Sequence, residues 1–516
     1  MGQNLRKYIF FFSMGLLIIG LPFSRAMISI GEVGMLIAWL FDRNVGKKFK
    51  VFLQSKPALA FTSIYLMHIV GMLYSTDWDY GLFDLRTKLP LLLFPMIFVS
   101  SPPLTTRETR NFLLLFAATA TASISYSLFL YQFHHFVDYR EAFPFVSHIR
   151  LSLEVLIAMS IMMYYGHSLY QGVPKYGRWF LLIIPFYLLW ALFVLELMTG
   201  VVIFGIGVLL FLIRFLLAHK NRKAPWIGFF TGIVIFAMSL TWVVNVVKDY
   251  RAAPAYDLAT IEKTTAEGHL YEHTPDLYQI ENGHYIGLYI CREELRTEWN
   301  KRSKMDFDGP DERNQELSMT LIRYLNSKGL RKDAGGVKQL SEQDIHNVES
   351  GIANAEFAKK FSLKKRIYKL IWEYNLYEDG DQAYGHSLVQ RLVLWKTAWK
   401  IFKQHPILGV GTGDVRDAFE EEFQKENSVF AGSKLRSHNQ YLSIAVSLGI
   451  VGLLVFLFSM VYPATVLKMW GYAPYFYLFV IMAMSMLWED TIESQVGVTI
   501  YAFFSSFYLF TRKKII

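Results

Sequence analysis

The chain has 516 residues, of which 53% are hydrophobic and 16% aromatic, and its mean hydropathy is +0.27. This apolar content exceeds what a soluble core requires, so the composition excludes an ordinary water-soluble protein and predicts a polytopic membrane protein. The formal net charge is +9, but the lysines and arginines are scattered over many loops instead of being gathered on one face, which excludes a nucleic-acid footprint.

Apolar segments long enough to cross a hydrocarbon core of roughly 30 Å recur along both ends of the chain. Nine spans are expected before a long polar segment and three after it. They lie at about 8–23, 26–42, 58–74, 88–101, 111–131, 151–170, 179–196, 201–218, 227–247, 440–463, 474–488 and 495–511. The prediction is an all-α polytopic integral membrane protein with about 12 transmembrane helices, nine in residues 1–247 and three in residues 439–516.

The cations of the short connections indicate how these spans are oriented. One set of connections holds eighteen lysines and arginines, from Arg6 near the N-terminus to Lys514 near the C-terminus, whereas the opposite set holds five. Cationic loops stay on the cytoplasmic side. Both termini are therefore predicted to be cytoplasmic, and the long polar segment 248–438 is predicted to be external.

The first part of the external segment, through about residue 365, has the composition of a soluble domain. It carries mixed charge and has turn signals at Asp308-Gly309-Pro310 and Gly335-Gly336. We expect helices around a small core. The single cysteine, Cys291, excludes an internal disulfide framework and a cysteine-based zinc cluster.

The second part of the external segment contains an amphipathic helix at about 387–404. Large apolar residues repeat there at spacings of three and four, with lysines at other positions, so one stripe of the helix is apolar. Such a helix is expected to lie in the membrane interface, with that stripe toward lipid or the transmembrane helices. The stripe consists of Leu388, Leu392, Trp395, Trp399 and Phe402.

The segment ILGVGTGD follows this helix and holds Gly409, Gly411 and Gly413. Its backbone amides could form an anion nest. Without a convincing strand and helix around it, the same spacing is more typical of a turn.

Ionisable residues within the spans are costly and are usually functional or paired. Arg150 and Glu154 are four residues apart in the sixth span, so they share a helix face and can form an ion pair. Either the pair is structural, or the arginine is held by its partner to receive an anionic group. His68 in the third span is expected to be a hydrogen-bonded core histidine. Further carboxylates are predicted at the external ends of the spans, namely Glu196, Glu489, Asp490 and Glu493.

His438 stands where the external segment re-enters the membrane, with Arg436 two residues before it and Asn439 directly after it. The imidazole can cap the tenth span. It can also act as a base, because the reference pKa of histidine, about 6.5, lies near neutral pH.

A resemblance to a known family is carried by two strings in a fixed order, QRLVLWKTAWKIFKQHPILGVGTGD and SHNQYLSIAVSLGIVGLLVFLF. With these strings and its pattern of spans, the chain resembles the O-antigen ligase and polymerase family of bacterial envelope glycosyltransferases. The charged insertion and the string EDTIESQVGV look like the Bacteroidota type. Many relatives carry a Ser-Arg pair after the seventh span, where this sequence has Thr199-Gly200, so the role of that arginine does not transfer.

The resemblance implies a GT-C-like membrane enzyme that needs neither a metal nor another cofactor. It implies transfer of a glycan from an undecaprenyl diphosphate carrier to an acceptor hydroxyl, by an inverting route at the periplasmic face of the inner membrane. The hydrophobic spans would hold the polyprenyl tail. By similarity His438 is the base, Arg391, Arg150 and Arg436 bind the diphosphate, Asn439 orients the imidazole or a sugar, and Glu154 supports Arg150.

Several activities are compatible with this resemblance. We favour a ligase that uses lipid A-core as acceptor, because the large insertion could hold a bulky acceptor. An O-antigen or capsule polymerase and a protein O-oligosaccharyltransferase of the same family are alternatives. A polytopic transporter or flippase is an alternative of another class, but the charges gather at the external ends of the spans and the motifs lie beside the loop.

Overall fold

The computed structural model describes residues 3–134, 139–167, 174–218, 223–277, 280–359, 362–378 and 387–511. These residues form an almost entirely helical structure. The α-helices are α1 (Gln3–Phe23), α2 (Arg25–Leu40), α3 (Val45–Gln54), α4 (Lys56–Met72), α5 (Trp78–Lys88), α6 (Pro90–Ser100), α7 (Thr106–Phe133), α8 (His148–His167), α9 (Lys175–Val194), α10 (Met198–Ala218), α11 (Lys223–Arg251), α12 (Arg292–Arg302), α13 (Leu317–Ser327), α14 (Ala334–Lys338), α15 (Glu342–Glu349), α16 (Leu363–Glu378), α17 (Ser387–Gln404), α18 (Val415–Lys425), α19 (Gln440–Val466), α20 (Ala473–Ser485) and α21 (Gln495–Phe510). The shorter elements are 3-10 helices at Tyr139–Ala142, Pro275–Leu277, Ala355–Ala358, Met469–Gly471 and Thr491–Glu493, and strands β1 (Ile280–Glu281) and β2 (His284–Tyr285), which pair antiparallel.

Seven of these helices are long and apolar enough to cross a membrane, namely α1, α7, α8, α9, α10, α11 and α19. The chain is therefore a multi-pass membrane protein, as predicted. The other five predicted spans coincide with helices of 11 to 17 residues, which are α2, α4, α6, α20 and α21. At about 1.5 Å per residue, the 11-residue α6 is shorter than a hydrocarbon core.

Some predicted features lie outside the described residues. They are the end of the sixth predicted span at 168–170, the loop cations Lys220, Arg222 and those at 512–514, and the side chain of Leu388.

The first of two compact units comprises Met1–Arg214 and Arg391–Ile516. In it α1 packs against α2 and α7, α4 against α6 and α19, and α8 against α7, α9 and α20. The contact between α6 and α21 is aromatic, with ring centroids 5.3 Å apart for Phe94 and Phe503 and 5.8 Å apart for Phe98 and Phe507. Such edge-to-face contacts favour a fixed helix register because the ring quadrupoles are directional.

The second unit, Phe215–Gln390, contains α11 and the helices that precede α17. Helices α12 to α15 surround a small apolar core in which Trp299, Leu321 and Val348 are fully buried. This agrees with the predicted helices around a small core. Elsewhere in the same unit, α16 packs against α11, with the rings of Tyr250 and Tyr368 4.7 Å apart.

The predicted amphipathic helix is present as α17, and its buried face is not the predicted stripe. Leu394, Ala398 and Ile401 are buried, whereas Leu392 is 39% and Trp399 51% exposed. The sequence of α17 is apolar on two sides, so periodicity alone does not say which side packs inward. Leu392 and Trp399 are thus the exposed members of the stripe, and the interfacial position of α17 stays a prediction.

Helix α19 is interrupted near its centre at Gly449, whose φ is +64°. The interruption leaves backbone groups of α19 without partners inside the helix. The segment 406–411 forms hydrogen bonds with these groups. A Cβ atom on Gly449 would lie 2.2 Å from the carbonyl oxygen of Ile407, so only glycine fits this crossing. The hydrogen bonds run from Val410 N to Val446 O and from Gly411 N to Ser447 O, and from Ile450 N to Pro406 O, each at 2.9 Å.

The amides of the glycine-rich segment are therefore occupied by the protein itself. Besides the two bonds to α19, Gly409 N donates to His405 O at 3.1 Å, and Gly413 N donates to the Ser75 hydroxyl at 2.9 Å. Thr412 N donates to Gly71 O at 3.4 Å. The turn interpretation of ILGVGTGD is confirmed, and the anion-nest interpretation is wrong because its donors have other acceptors.

Candidate functional site

The turn between α20 and α21 is the structural centre of the candidate site. It carries three carboxylates, Glu489, Asp490 and Glu493, and all three side chains are almost completely buried. Five of the six site residues predicted from the sequence contact this turn. The exception is Glu154.

The Asp490 carboxylate accepts hydrogen bonds from the backbone at His438, the residue that carries the imidazole. His438 N donates to Asp490 Oδ2 at 2.9 Å, and Asn439 N donates to Asp490 Oδ1 at 3.1 Å. The Ser443 hydroxyl donates to the same carboxylate at 2.7 Å. Burial raises the pKa of the Asp490 carboxyl, and the hydrogen bond from Ser443 opposes this. These bonds stabilise His438 at a φ of +50°, a conformation that non-glycine residues rarely adopt.

Asn439 is the N-cap of α19. Its side-chain oxygen accepts from Tyr441 N at 3.0 Å and Leu442 N at 3.1 Å, and its amide nitrogen donates to Leu487 O at 3.1 Å. The capping role considered for His438 therefore belongs to Asn439, because asparagine is a preferred N-cap and its carboxamide reaches both amides.

Glu489 connects two of the predicted residues. Its Oε1 lies 2.7 Å from Arg391 Nη2, and its Oε2 lies 4.0 Å from His438 Nδ1. Arg391 Nε also donates to Trp488 O at 3.2 Å. A carboxylate on the Nδ1 side of an imidazole favours the tautomer that carries its proton there, which leaves Nε2 as a proton acceptor. The His438 side chain is 35% exposed, so the ring is accessible.

Glu493 lies at the centre of a buried charge network. The sequence predicted Glu493 and Arg436 near the site, and it did not predict Lys88 or Asp84 there. Lys88 Nζ lies 2.7 Å from Glu493 Oε2 and 2.5 Å from Asp84 Oδ2. Arg436 pairs with Glu493 and lies 3.5 Å from Asp84 Oδ1. Gln440 Nε2 donates to Glu493 Oε1 at 2.9 Å. Burial raises the pKa of Asp84 to about 7, although Lys88 opposes this. The guanidinium of Arg436 is thus held by two carboxylates.

The predicted ion pair between Arg150 and Glu154 does not form. Arg150 Nη2 instead donates to the backbone oxygen of Asp490 at 3.2 Å. Both oxygens of Glu154 are buried and have no hydrogen-bond partner among the described residues. Sharing a helix face is not sufficient here, because the long arginine side chain reaches the 489–493 turn.

His68 is buried, as predicted for a core histidine, and it borders the charge network. Its Nδ1 lies 3.5 Å from the Thr412 hydroxyl and 3.8 Å from Asp84 Oδ2. Its Nε2 has no hydrogen-bond partner among the described residues.

Several residues of the site were missed from the sequence. Asp84 and Lys88 are four residues apart in α5, which was a detectable ion-pair spacing. Tyr80 lies one turn before Asp84, and the guanidinium carbons of Arg416 and Arg436 lie 4.0 Å and 5.1 Å from the centroid of its ring. No local pattern predicts this last arrangement, because three distant segments form it.

One group of side chains in the second unit has the spacing of metal ligands. It comprises Glu267, His269 and Glu294. Glu294 already accepts hydrogen bonds from Thr265 and lies 2.9 Å from His269 Nδ1, and Lys338 Nζ lies 3.0 Å from Glu267. Each of the three side chains thus has a partner within the protein, and none of the three residues belongs to the 489–493 turn.

Comparison with known proteins gives one family match. No curated protein matches the chain. The model of the Wzy_C family, described as O-antigen ligase, matches residues 345–457. This range includes α17 with Arg391, the glycine-rich segment, and His438 with the first part of α19. The multi-pass membrane chain is thus similar, over residues 345–457, to a family described as O-antigen ligase.

Proposed function

We propose that this protein is an O-antigen ligase. It transfers a polysaccharide from an undecaprenyl diphosphate carrier to a hydroxyl of lipid A-core. The observation that carries the proposal is the bridge that Glu489 makes between Arg391 and His438, both of which lie inside the family match. The proton acceptor His438 and the cation Arg391 therefore both lie beside the carboxylate of Glu489. Glycosyl transfer from a diphosphate needs both groups.

The proposed enzyme has a GT-C-like arrangement of twelve spans in the bacterial inner membrane. Both termini are cytoplasmic, and residues 248–438 are periplasmic. The distribution of cations among the short connections supports this orientation. The carrier's polyprenyl tail lies among the apolar helices, which positions the diphosphate at their periplasmic ends.

The proposed reaction is a single displacement at the anomeric carbon of the donor. The acceptor oxygen forms the new glycosidic bond while the bond between that carbon and the diphosphate oxygen breaks. The bonding electrons leave on the diphosphate, and the acceptor proton passes to His438 Nε2 and then to solvent. The products are the glycosylated acceptor and undecaprenyl diphosphate, and the configuration at the anomeric carbon is inverted.

Arginines stabilise the charge that develops on the departing diphosphate. Their planar guanidinium groups bind phosphate oxygens in pairs. Arg391 is fixed by Glu489 and by the Trp488 carbonyl, so its position is set before substrate binds. We assign Arg150 and Arg436 to diphosphate binding as well, because both side chains are held at the 489–493 turn.

Two further residues support the reaction indirectly. Asn439 fixes the start of α19 and thereby the backbone of His438. Glu154, one helical turn from Arg150, is assigned a supporting position on the same helix, without a direct hydrogen bond to the arginine.

A lipopolysaccharide gel from a deletion strain tests the proposal. The strain carries the wild-type gene, His438→Ala, or His405→Ala as a matched control, since His405 is an exposed histidine at the end of α17. We expect wild type and His405→Ala to restore the full ladder. His438→Ala should give intact core without ladder and should accumulate lipid-linked polymer.

Other outcomes of the gel separate the alternatives. Core that bears a single repeat in the deletion strain would indicate a polymerase. An unchanged ladder in the deletion strain would point to a protein acceptor. A full ladder with His438→Ala would contradict the assignment of the base.

The proposed mechanism uses no metal, so a chelator should leave glycan transfer unchanged. The measurement is transfer in isolated membranes with and without EDTA. Loss of activity that a divalent ion restores would contradict the metal-independent mechanism.

A further inference from the structure

Arg416, the second residue of α18, differs from the other arginines of the candidate site in its contacts. Arg391 pairs with Glu489, Arg436 pairs with Glu493, and Arg150 donates to the Asp490 carbonyl. Arg416 makes no hydrogen bond or ion pair with any residue that the structure describes. Its guanidinium lies on the ring of Tyr80 instead.

The stack of Arg416 on Tyr80 contains two donors that lack acceptors. Arg416 Nε and the Tyr80 hydroxyl are both buried, and neither has a hydrogen-bond partner among the described residues. The Tyr80 side chain is only 6% exposed. Buried donors without acceptors are costly, so the local chemistry favours a ligand that brings several oxygen acceptors and negative charge.

The carboxylate of Asp414 does not supply these acceptors. Asp414, two residues before Arg416, directs its carboxylate to the backbone amides of Thr76 and Asp77 at 2.8 Å. These bonds join the start of α18 to the start of α5, which carries Tyr80. The arginine and the tyrosine are therefore fixed relative to each other, and they are preorganised for a ligand.

The position of the stack connects it to the proposed active site. The Tyr80 ring also lies 5.1 Å from the guanidinium carbon of Arg436, whose charge is already balanced by Glu493 and Asp84. Arg416 therefore carries a positive charge that forms no ion pair with a carboxylate among the described residues. An anion that approaches Arg436 would be attracted by Arg416.

We propose that Arg416 and Tyr80 form a further phosphate-binding subsite, and that its ligand is the diphosphate of the polyprenyl-linked donor. The guanidinium and the tyrosine hydroxyl donate to phosphate oxygens, and the aromatic ring holds the guanidinium plane. The identity of the ligand rests on the proposed function. The subsite itself rests on the unpartnered donors.

The test is titration of the purified full-length protein in detergent with farnesyl diphosphate, followed by tryptophan fluorescence. We expect Arg416→Gln to weaken binding about ten-fold, because one charge-assisted pair is lost. Lys425→Gln is the matched control, since it removes a cation that pairs with Glu421 at the far end of the same helix. Its affinity should equal that of wild type.

Equal affinity of Arg416→Gln and wild type would overturn the subsite and leave the proposed function standing, since the gel with His438→Ala tests that function separately. If Arg416→Gln lowers the melting temperature, Arg416→Met replaces it, because methionine keeps an apolar stem against Tyr80. Wild-type affinity of that variant would equally overturn the subsite. Binding of phosphatidylglycerol as tight as that of farnesyl diphosphate would assign the subsite to membrane lipid and overturn the donor assignment.

Discussion

The two units of the molecule arrange their charges differently, although both bury some: Glu281 of the second unit is fully buried and pairs with Arg323. In the first unit, Lys88, Asp84 and Glu493 are almost fully buried and pair with one another across α5 and the 489–493 turn. In the second unit, the core of α12 to α15 is apolar around Trp299. Many charges of that second region pair at the surface, as Arg296 and Asp308 do, with both side chains about half exposed.

The first unit concentrates several buried charges at one place, around the 489–493 turn. A buried ion pair gives little net stability compared with an apolar replacement, because desolvation offsets the attraction. An apolar core stabilises a domain directly. The charges around the 489–493 turn are therefore explained better by the chemistry of the candidate site than by stability.

The largest expected effect is a loss of stability when one residue of the buried charge network around Glu493 is replaced. Glu493→Gln leaves Lys88 and Arg436 with less compensating charge, which should destabilise the protein by about 3 kcal/mol or more. Thermal unfolding of the purified protein in detergent measures this, with the exposed Glu421→Gln as control. Equal melting temperatures for the two variants would contradict the view that the network is tightly coupled.

The next effect concerns the interruption of α19 at Gly449. Gly449→Ala places a Cβ atom 2.2 Å from Ile407 O at a φ of +64°, so we expect a loss of about 2–3 kcal/mol. Gly207→Ala is the control, because an added Cβ there meets nothing within 4 Å. Similar thermal stability of both alanine variants would show that the interruption of α19 tolerates a side chain.

A smaller effect, on activity alone, is expected at Glu489. Glu489→Gln keeps the shape of the bridge and removes the charge that orients His438 and Arg391. We expect kcat for glycan transfer to fall about ten- to a hundred-fold, with the melting temperature nearly unchanged. Glu489→Asp should recover part of the rate, and a kcat of Glu489→Gln equal to wild type would rule out a positioning role.

The smallest effect is expected in the second unit. Arg296→Ala breaks the surface pair with Asp308, and solvent screens such pairs effectively. Hydrogen exchange of α12 in the full-length protein should show no measurable loss of protection. Leu321→Ala, which opens the apolar core, is the positive control and should lose protection strongly. A comparable loss in Arg296→Ala would remove the contrast between the two units.

The helical fold was predictable because apolar segment length and turn residues are local signals. Each of the twelve predicted spans coincides with a helix, and the turn at Gly409–Gly413 was recognised. Arg391 and His438, which lie inside the two strings, were predicted from the sequence, and the structure places both beside Glu489. The stack of Arg416 on Tyr80 and the bridge through Glu489 were not predicted, because they join segments far apart in the chain. The Arg150–Glu154 prediction failed for the same reason, since a distant carbonyl competes with the neighbouring carboxylate.

The most direct test of the central claim is a balance of products with purified protein in lipid nanodiscs. Lipid-linked glycan and lipid A-core are supplied, and glycosylated acceptor and released undecaprenyl diphosphate are both quantified. The account predicts one diphosphate lipid released per glycan transferred by wild type, and neither product from His438→Gln. Turnover of His438→Gln at the wild-type rate, or transfer without release of the diphosphate lipid, would contradict it.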